Sequence, residues 1–148
     1  MNNACILQVE DDENDVFFMK HAFKRAGITN LVQVVTDGQM AMDYLAGSGA
    51  FADRTAYPQP NMVLLDLKLP KKNGLEVLEW IRGQAGLRTV VVIVLTSSPN
   101  GQDARRAYQL GANSYVVKPG DLQKYAEFAR RFKEWWLECN QFVAGDAR

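Results

Sequence analysis

The chain has 148 residues, of which 17 are Lys or Arg and 17 are Asp or Glu, so its formal net charge is zero. This length favours a single domain, and the balanced charge argues against a general nucleic-acid binder, whose binding face is basic. No apolar run approaches the roughly 20 residues of a membrane-spanning helix, and no basic region typical of a signal peptide precedes the first apolar run. Two cysteines without a disulfide framework fit a reducing compartment, so we expect a cytoplasmic protein that binds neither nucleic acid nor membrane.

Five short apolar segments rich in β-branched residues alternate with segments of helical periodicity. The predicted strands cover residues 5–9, 31–35, 62–65, 90–95 and 114–117. The predicted helices cover residues 13–26, 38–46, 75–81, 102–110 and 122–140. Continuous apolar strands separated by helices indicate a parallel sheet that is covered on both faces. We therefore predict an α/β fold, a (βα)5 doubly wound domain over residues 1–148, with a core at about 4–128 and a last helix that extends to about residue 140.

Polar side chains follow the predicted strands at the points where the strands end. Asp66 directly follows the run 62–65, Glu10 and Asp11 follow the first strand, and Thr96 follows the fourth. In open parallel sheets the ligand crevice lies at the carboxyl ends of the strands. We therefore expect these side chains, together with Lys118 after the fifth strand, to lie along one edge of the sheet.

Neighbouring carboxylates repel one another unless a cation lies between them. Glu10, Asp11 and Asp66 are therefore predicted to hold Mg²⁺ or Mn²⁺, because such hard cations take oxygen ligands and commonly bridge to a phosphate. An aspartate beside such a metal ion could attack phosphorus and form an aspartyl-phosphate. Lys118 offers a flexible positive charge and Thr96 a hydroxyl, and both suit phosphoryl oxygens.

Each of these residues also has an ordinary structural explanation. A carboxylate after a strand is often only a helix N-cap, which suits Asp12, because Glu13 opens the next helix. Lys118 alone would more often be a surface charge, and Thr96 alone a strand-end residue. Their joint placement, each at the end of a different predicted strand, favours a phosphoryl site.

Four stretches of sequence support a family resemblance: residues 6–12 (ILQVEDD), 64–70 (LLDLKLP) with Gly74, 94–97 (VLTS) and 111–119 (GANSYVVKP). They resemble the receiver domain, the phospho-accepting module of bacterial two-component response regulators. The resemblance covers about residues 4–138 and implies a flavodoxin-like sheet of strand order 2-1-3-4-5.

The resemblance implies a role for each residue of the acidic cluster. Asp66 would accept a phosphoryl group from a phosphohistidine on a sensor histidine kinase, and so switch a protein-interaction face. Asp11 would bind the metal ion directly and Glu10 through water. The backbone carbonyl of Lys68 would complete the protein ligands beside Asp66.

The resemblance also assigns the residues that respond to phosphorylation. Thr96 and Lys118 would hold the phosphoryl oxygens, and Thr96 would move toward them. Tyr115, three positions before the lysine, would change rotamer with it. By the same resemblance the bond between Lys118 and Pro119 is expected to be cis.

Three further stretches, 57–60, 65–74 and 134–137, resemble the small stand-alone regulators that serve bacterial phytochromes. This resemblance suggests a bacteriophytochrome as the sensor kinase. Members of that group usually carry Asn two residues after the phosphoacceptor, where this chain has Lys68. Lys68 could pair with the acidic cluster before metal binds, or contact the phosphoryl group afterward. We expect slow hydrolysis of the phosphoprotein, adjusted by Lys68 and Ser98.

The last predicted helix would span about 28 Å at 1.5 Å per residue, and its apolar positions cover a broad arc. We expect part of the arc to pack on the sheet and the remainder to form a homodimer, since the regulators resembled dimerise through this helix and its neighbours. The alternative is that the tail only folds back over its own core. The predicted dimer face comprises Tyr115, Phe128, Phe132, Trp135 and Trp136.

We predict that the chain is not an enzyme in the usual sense, because it would catalyse only its own phosphorylation and dephosphorylation. Its output would be contact with a downstream protein target. The alternative is a phosphatase with an aspartate nucleophile. Such sites typically place a second Asp two residues later as a general acid, and Lys68 occupies that position.

Overall fold

A five-stranded parallel sheet lies at the centre of the computed structural model, which describes residues 1–143. Residues 144–148 of the predicted domain lie outside the described part. The sheet order is β2-β1-β3-β4-β5 and every neighbouring pair is parallel, which confirms the predicted fold class and strand order. The strands are β1 (Ile6–Val9), β2 (Val32–Val35), β3 (Met62–Leu65), β4 (Val91–Thr96) and β5 (Ser114–Val117).

Five α-helices alternate with the strands, and each begins within one residue of its predicted start. A side-chain oxygen caps every one of them by accepting a hydrogen bond from a backbone N–H of the first turn. Asp12 caps the first helix, as its alternative explanation predicted. The helices are α1 (Glu13–Arg25), α2 (Gly38–Ala46), α3 (Gly74–Gly83), α4 (Gly101–Gln109) and α5 (Leu122–Phe132), with short 3₁₀ turns at Gly49–Phe51 and Ala85–Leu87.

The inner strands β1, β3 and β4 are covered on both faces, which explains why they are almost wholly apolar. One face packs against α2 and α3 through residues such as Tyr44 and Leu78. The other face packs against α1 and α5 through Met19 and Tyr125. No helix among residues 1–143 is both long enough and apolar enough to cross a bilayer.

The register of the sheet fixes which strand ends are neighbours. Val9 of β1 pairs with Leu65 of β3. The residues that directly follow them, Glu10 and Asp66, therefore lie side by side at the ends of the two strands. Thr96 pairs with Val117, the residue before Lys118. The predicted site residues therefore follow the carboxyl ends of adjacent strands, as expected.

The last helix reaches nearly its expected length but changes its winding. After α5 the chain continues as a π-helical segment, Lys133–Cys139. Its last turns are tied to the N-terminus, since the backbone N–H of Asn2 donates to the carbonyl of Leu137 at 2.8 Å and its side-chain amide donates to that of Trp136 at 2.9 Å. Leu137 is buried, so this segment completes the core beside α1.

The residues of the predicted dimer face differ in how deeply they are buried. Phe132 is buried, with its ring stacked 5.1 Å from that of Phe23, so its side chain packs in the core of the monomer, and its part in a dimer face stays a prediction. Phe128 and Trp136 are half-buried against the same core cluster. Trp135 remains exposed, with 62% of its surface accessible.

Candidate phosphoryl and metal site

Three carboxylates form an acidic cluster at the carboxyl edge of the sheet. Glu10, Asp11 and Asp66 each offer an oxygen within 4.8 Å of the others. Glu10 and Asp66 are buried, whereas Asp11 is exposed. The structure thus brings together the side chains that were predicted to share a metal ion.

Lys118 reaches into this cluster from the end of β5. Its Nζ lies 2.7 Å from Glu10 Oε1, 2.8 Å from Asp15 Oδ2 and 3.1 Å from Asp66 Oδ2. Three carboxylates therefore surround one ammonium group, and Asp11 adds a fourth negative charge nearby. The site as a whole retains excess negative charge, which favours a divalent cation.

Asp15 also belongs to the site, and it was not among the predicted site residues. It lies in the first turn of α1, where Asp12 caps the helix. Its Oδ1 accepts a hydrogen bond from the hydroxyl of Tyr125 at 2.9 Å, so both of its oxygens are engaged. The available signal was position: α1 begins at the edge of the sheet that carries the acidic cluster, so an acid in its first turn lies within reach of that cluster.

Burial and the neighbouring charges together raise the pKa of both Lys118 and Glu10. Burial alone would lower the pKa of Lys118, but hydrogen bonds to Asp15 and Glu10 and the charge of Asp66 raise it above its ordinary value. Lys118 is therefore positively charged. Burial, reinforced by the charge of Asp66 and opposed by Lys118, raises the pKa of Glu10 to about 7. A cation bound here would favour the ionised form of Glu10.

The donor set of the acidic cluster fits Mg²⁺ or Mn²⁺. Its oxygens come only from carboxylates, with no sulfur or imidazole among them, which matches the preference of hard cations. Glu10, Asp11 and Asp66 would hold the ion. The role of the Lys68 carbonyl as a further ligand stays a prediction.

Lys68 lies beside the site without pairing with it. Its backbone N–H donates to Asp66 Oδ1 at 3.4 Å, while its side chain is exposed and forms no ion pair within residues 1–143. Pairing of Lys68 with the acidic cluster, one of the two roles considered for it, is thus not seen. Contact with a phosphoryl group stays a prediction.

The loop after β4 joins the predicted switch residues. Thr96 is fully buried, and its Oγ1 accepts from the backbone N–H of Ser98 at 3.5 Å. The hydroxyl of Ser98 donates to Asp103 Oδ2 at 2.7 Å. Tyr115, half-buried on β5, donates a hydrogen bond from its hydroxyl to the carbonyl of Ser98 at 2.8 Å.

The peptide bond between Lys118 and Pro119 is trans, so the prediction of a cis bond is wrong.

Comparison with known proteins gives a consistent result. The family model described as the response regulator receiver domain matches residues 6–130. The chain is 40% identical over 139 residues to the probable methanogenesis regulatory protein FilR2 of Methanothrix harundinacea, covering 92% of this chain and 85% of that protein. It is 35% identical over 133 residues to the response regulator Rcp1 of Synechocystis, covering 90% and 88%.

Solved structures give the same picture at the level of the fold. The phosphorylated cyanobacterial phytochrome response regulator RcpA superimposes with a TM-score of 0.89 at 32% identity, covering 97% of this chain and 100% of that one. The Mn²⁺-bound form of Rcp1 superimposes with a TM-score of 0.86 at 34% identity, covering 95% and 99%. A divalent metal ion thus occurs in a close structural relative.

Proposed function

The chain belongs to the response regulator receiver domain family and is a phospho-accepting response regulator, and we propose that Asp66 is the residue that accepts the phosphoryl group. One observation carries this assignment. Asp66 is a buried carboxylate at a strand end, 3.1 Å from the ammonium group of Lys118 and within a cluster of acidic oxygens. A buried carboxylate beside a cation and a candidate metal site is suited to attack phosphorus.

In the proposed reaction an oxygen of Asp66 attacks the phosphorus of a phosphohistidine. The new O–P bond forms as the P–N bond breaks, and its electron pair leaves with the imidazole nitrogen. Lys118 neutralises charge on the phosphoryl oxygens and Thr96 donates its hydroxyl to one of them. A divalent ion held by Glu10, Asp11 and Asp66, when bound, would supply further neutralisation of the same oxygens.

We do not propose an enzyme that turns over a separate substrate. A phosphatase with an aspartate nucleophile needs a general acid close to that nucleophile, and Lys68 occupies the usual position of that acid. The side chain of Lys68 is exposed and forms no ion pair with the acidic cluster among residues 1–143. The phosphoryl group should therefore remain on the chain until water slowly removes it.

Incubation with acetyl phosphate and Mg²⁺ separates these two functions. We expect one phosphoryl group per chain, stable in acid and labile in base, and no further release of phosphate beyond slow hydrolysis. Repeated turnover of acetyl phosphate would contradict the proposal. Asp66→Asn should abolish the adduct, while Asp37→Asn is a matched control, because Asp37 is also buried near this sheet edge but serves as the N-cap of α2.

The proposed donor is a sensor histidine kinase, with a bacteriophytochrome as the first candidate. The names of RcpA and of other structural relatives refer to phytochrome signalling, which supports this choice. Histidine kinases are phosphorylated with ATP, which is found in the cytoplasm. We therefore propose that phosphoryl transfer to this chain takes place in the cytoplasm. Phosphotransfer from a panel of purified kinases tests the partner: fastest transfer from a kinase without a phytochrome would reject the candidate while leaving the role of Asp66 intact.

We further propose that the chain forms a homodimer through its last helix. Three apolar side chains on this part of the surface are about half exposed or more: Val117, Leu122 and Trp135. Val117 and Trp135 line one cavity with the half-buried Phe128 and Trp136, so this surface is continuous with the core between β5 and α5. Large exposed apolar patches are unusual on monomers. A downstream protein target would contact the neighbouring surface around Tyr115.

Light scattering coupled to size exclusion tests the dimer. We expect a dimer for the wild-type chain and a shift toward monomer for Trp135→Ala. Phe17→Ala is the matched control, because Phe17 on α1 is equally exposed, at 62%, but lies outside this surface. A monomeric wild-type chain, before and after phosphorylation, would rule the dimer out.

A further inference from the structure

Asp15 connects Lys118 to the last helix through two hydrogen bonds. Its Oδ2 lies 2.8 Å from Lys118 Nζ, and its Oδ1 accepts from the hydroxyl of Tyr125 at 2.9 Å. Tyr125 lies on α5 and only 2% of its surface is exposed. The three residues come from α1, the end of β5 and α5, so the contact joins three separate elements at the phosphoryl site.

We propose that Asp15 is a positioning residue that holds Lys118 in place for the phosphoryl group, and that Tyr125 orients Asp15 for this task. The inference rests on the proposed function of Asp66. It assigns no contact with the phosphoryl group to Asp15 itself. Asp15 acts only through the ammonium group of Lys118.

The other two partners of Lys118 change during the reaction, and Asp15 does not. Asp66 becomes an acyl phosphate, and its carboxylate charge moves to the phosphoryl oxygens. Glu10 is a predicted metal ligand, so a bound ion competes with Lys118 for its oxygens. Asp15 is outside the predicted metal set and keeps its carboxylate throughout. Among the carboxylates that contact Lys118 within residues 1–143, Asp15 is therefore the one that can anchor it in every state.

An anchor is needed because a lysine side chain is long and flexible. Its four-carbon stem has many rotamers, and the ammonium group is a point charge without directional preference. Asp15 limits that freedom only if its own carboxylate is fixed. Tyr125 provides this, because its ring is held in the core between α1 and α5 and packs 5.7 Å from the ring of Phe18.

A purely structural role for this contact would tie α1 to α5 and leave the site unaffected. A purely electrostatic role would also have a distinct signature. Removal of one negative charge would weaken binding of a cation and strengthen binding of an anion. Positioning predicts the opposite for an anion that Lys118 contacts, namely weaker binding. The sign of the change for an anionic phosphoryl mimic therefore separates the three roles.

The experiment measures binding of beryllofluoride in the presence of Mg²⁺, by calorimetry, and binding of Mn²⁺ alone, by electron paramagnetic resonance. We expect Asp15→Asn to weaken beryllofluoride binding by about tenfold or more, since a hydrogen bond to a charged group is lost. Tyr125→Phe removes only one hydroxyl, keeps the ring in the core and should weaken it by about threefold. Mn²⁺ affinity should change much less in both variants.

Glu13→Gln is the control, because Glu13 is exposed in the same turn of α1 and makes no described contact with Lys118. Beryllofluoride affinity in Asp15→Asn and Tyr125→Phe equal to that of Glu13→Gln, or tighter, would overturn the inference. An equal loss of Mn²⁺ and beryllofluoride affinity would also overturn it. A wild-type chain that binds no beryllofluoride would instead reject the proposed function on which the inference rests.

Discussion

Tyr115 donates a hydrogen bond from its hydroxyl to the backbone carbonyl of Ser98, across 2.8 Å. Ser98 lies two residues after Thr96, and its N–H in turn donates to Thr96 Oγ1. The aromatic side chain on β5 is therefore connected to the loop that carries the proposed phosphoryl-binding threonine. Any movement of Thr96 toward a phosphoryl group must strain or break this connection.

Removal of the Tyr115 hydroxyl should loosen the loop after β4. A net hydrogen bond of about 1 kcal/mol corresponds to roughly fivefold faster local opening. Tyr115→Phe should therefore raise the hydrogen-exchange rates of residues 97–101 by about that factor without phosphorylation. Tyr57→Phe is the control, since the Tyr57 ring packs against Tyr44 and Phe51, away from the loop after β4. Unchanged exchange in Tyr115→Phe would show that the bond does not restrain the loop.

The side chain at position 68 should control how long the phosphoryl group persists. Lys68 is exposed at the edge of the site, and its backbone N–H already contacts Asp66. A contact between its ammonium group and the phosphoryl group should be comparable to an exposed ion pair, so Lys68→Asn should shorten the phospho-lifetime by up to about fivefold. The loss of radiolabel over time measures this, with Lys72→Asn as the exposed control. A longer lifetime in Lys68→Asn would contradict the assignment.

Gly74 should tolerate no side chain, because it begins α3 directly against the phosphoacceptor strand end. A Cβ added there would collide with the backbone carbonyl of Asp66 and with Leu67. Gly74→Ala should lower the free energy of unfolding by about 1–3 kcal/mol and slow phosphorylation, since the backbone of Asp66 must shift. Gly83→Ala, at the other end of α3, meets open space and should instead stabilise the protein by up to about 1 kcal/mol. Urea denaturation of the two variants checks both signs.

The protein should lose stability in alkali through Tyr44. Burial, and next the nearby Cys5, raises the pKa of Tyr44 to about 12, and its hydroxyl donates to the carbonyl of Pro58. A raised folded-state pKa means that this contribution is complete below the ordinary tyrosine pKa of about 10 and is lost as the pH rises toward 12. Urea denaturation at about pH 8 and about pH 11 should show a smaller alkaline loss for Tyr44→Phe than for the wild type. An equal loss in both would assign the effect to other groups.

The positions of the acidic cluster and Lys118 could be predicted because strand register determines them. Once the apolar runs are taken as parallel strands, residues after their last positions must meet at one edge. Glu10, Asp66 and Lys118 are such residues. The helix cap at Asp12 could also be predicted, since capping depends on a local residue preference.

The contact between Asp15 and Tyr125 could not be predicted in the same way. The two residues are 110 positions apart, and their meeting depends on which faces of α1 and α5 pack together. Helical periodicity identifies an apolar face but not its partner. The burial of Phe132 and the π-helical winding after it have the same origin, because both follow from how the last helix fits against α1 and the N-terminal residues.

The identity of the phosphoacceptor is tested most directly by chemical trapping of the modified residue. The chain would be phosphorylated with acetyl phosphate and Mg²⁺, reduced with borohydride and digested, and the peptides would be sequenced by mass spectrometry. Reduction converts an aspartyl-phosphate to homoserine, so we predict homoserine at position 66 and aspartate at positions 11, 12 and 15. Homoserine at another position, or an unmodified Asp66 in a chain that has bound phosphoryl groups, would contradict the account.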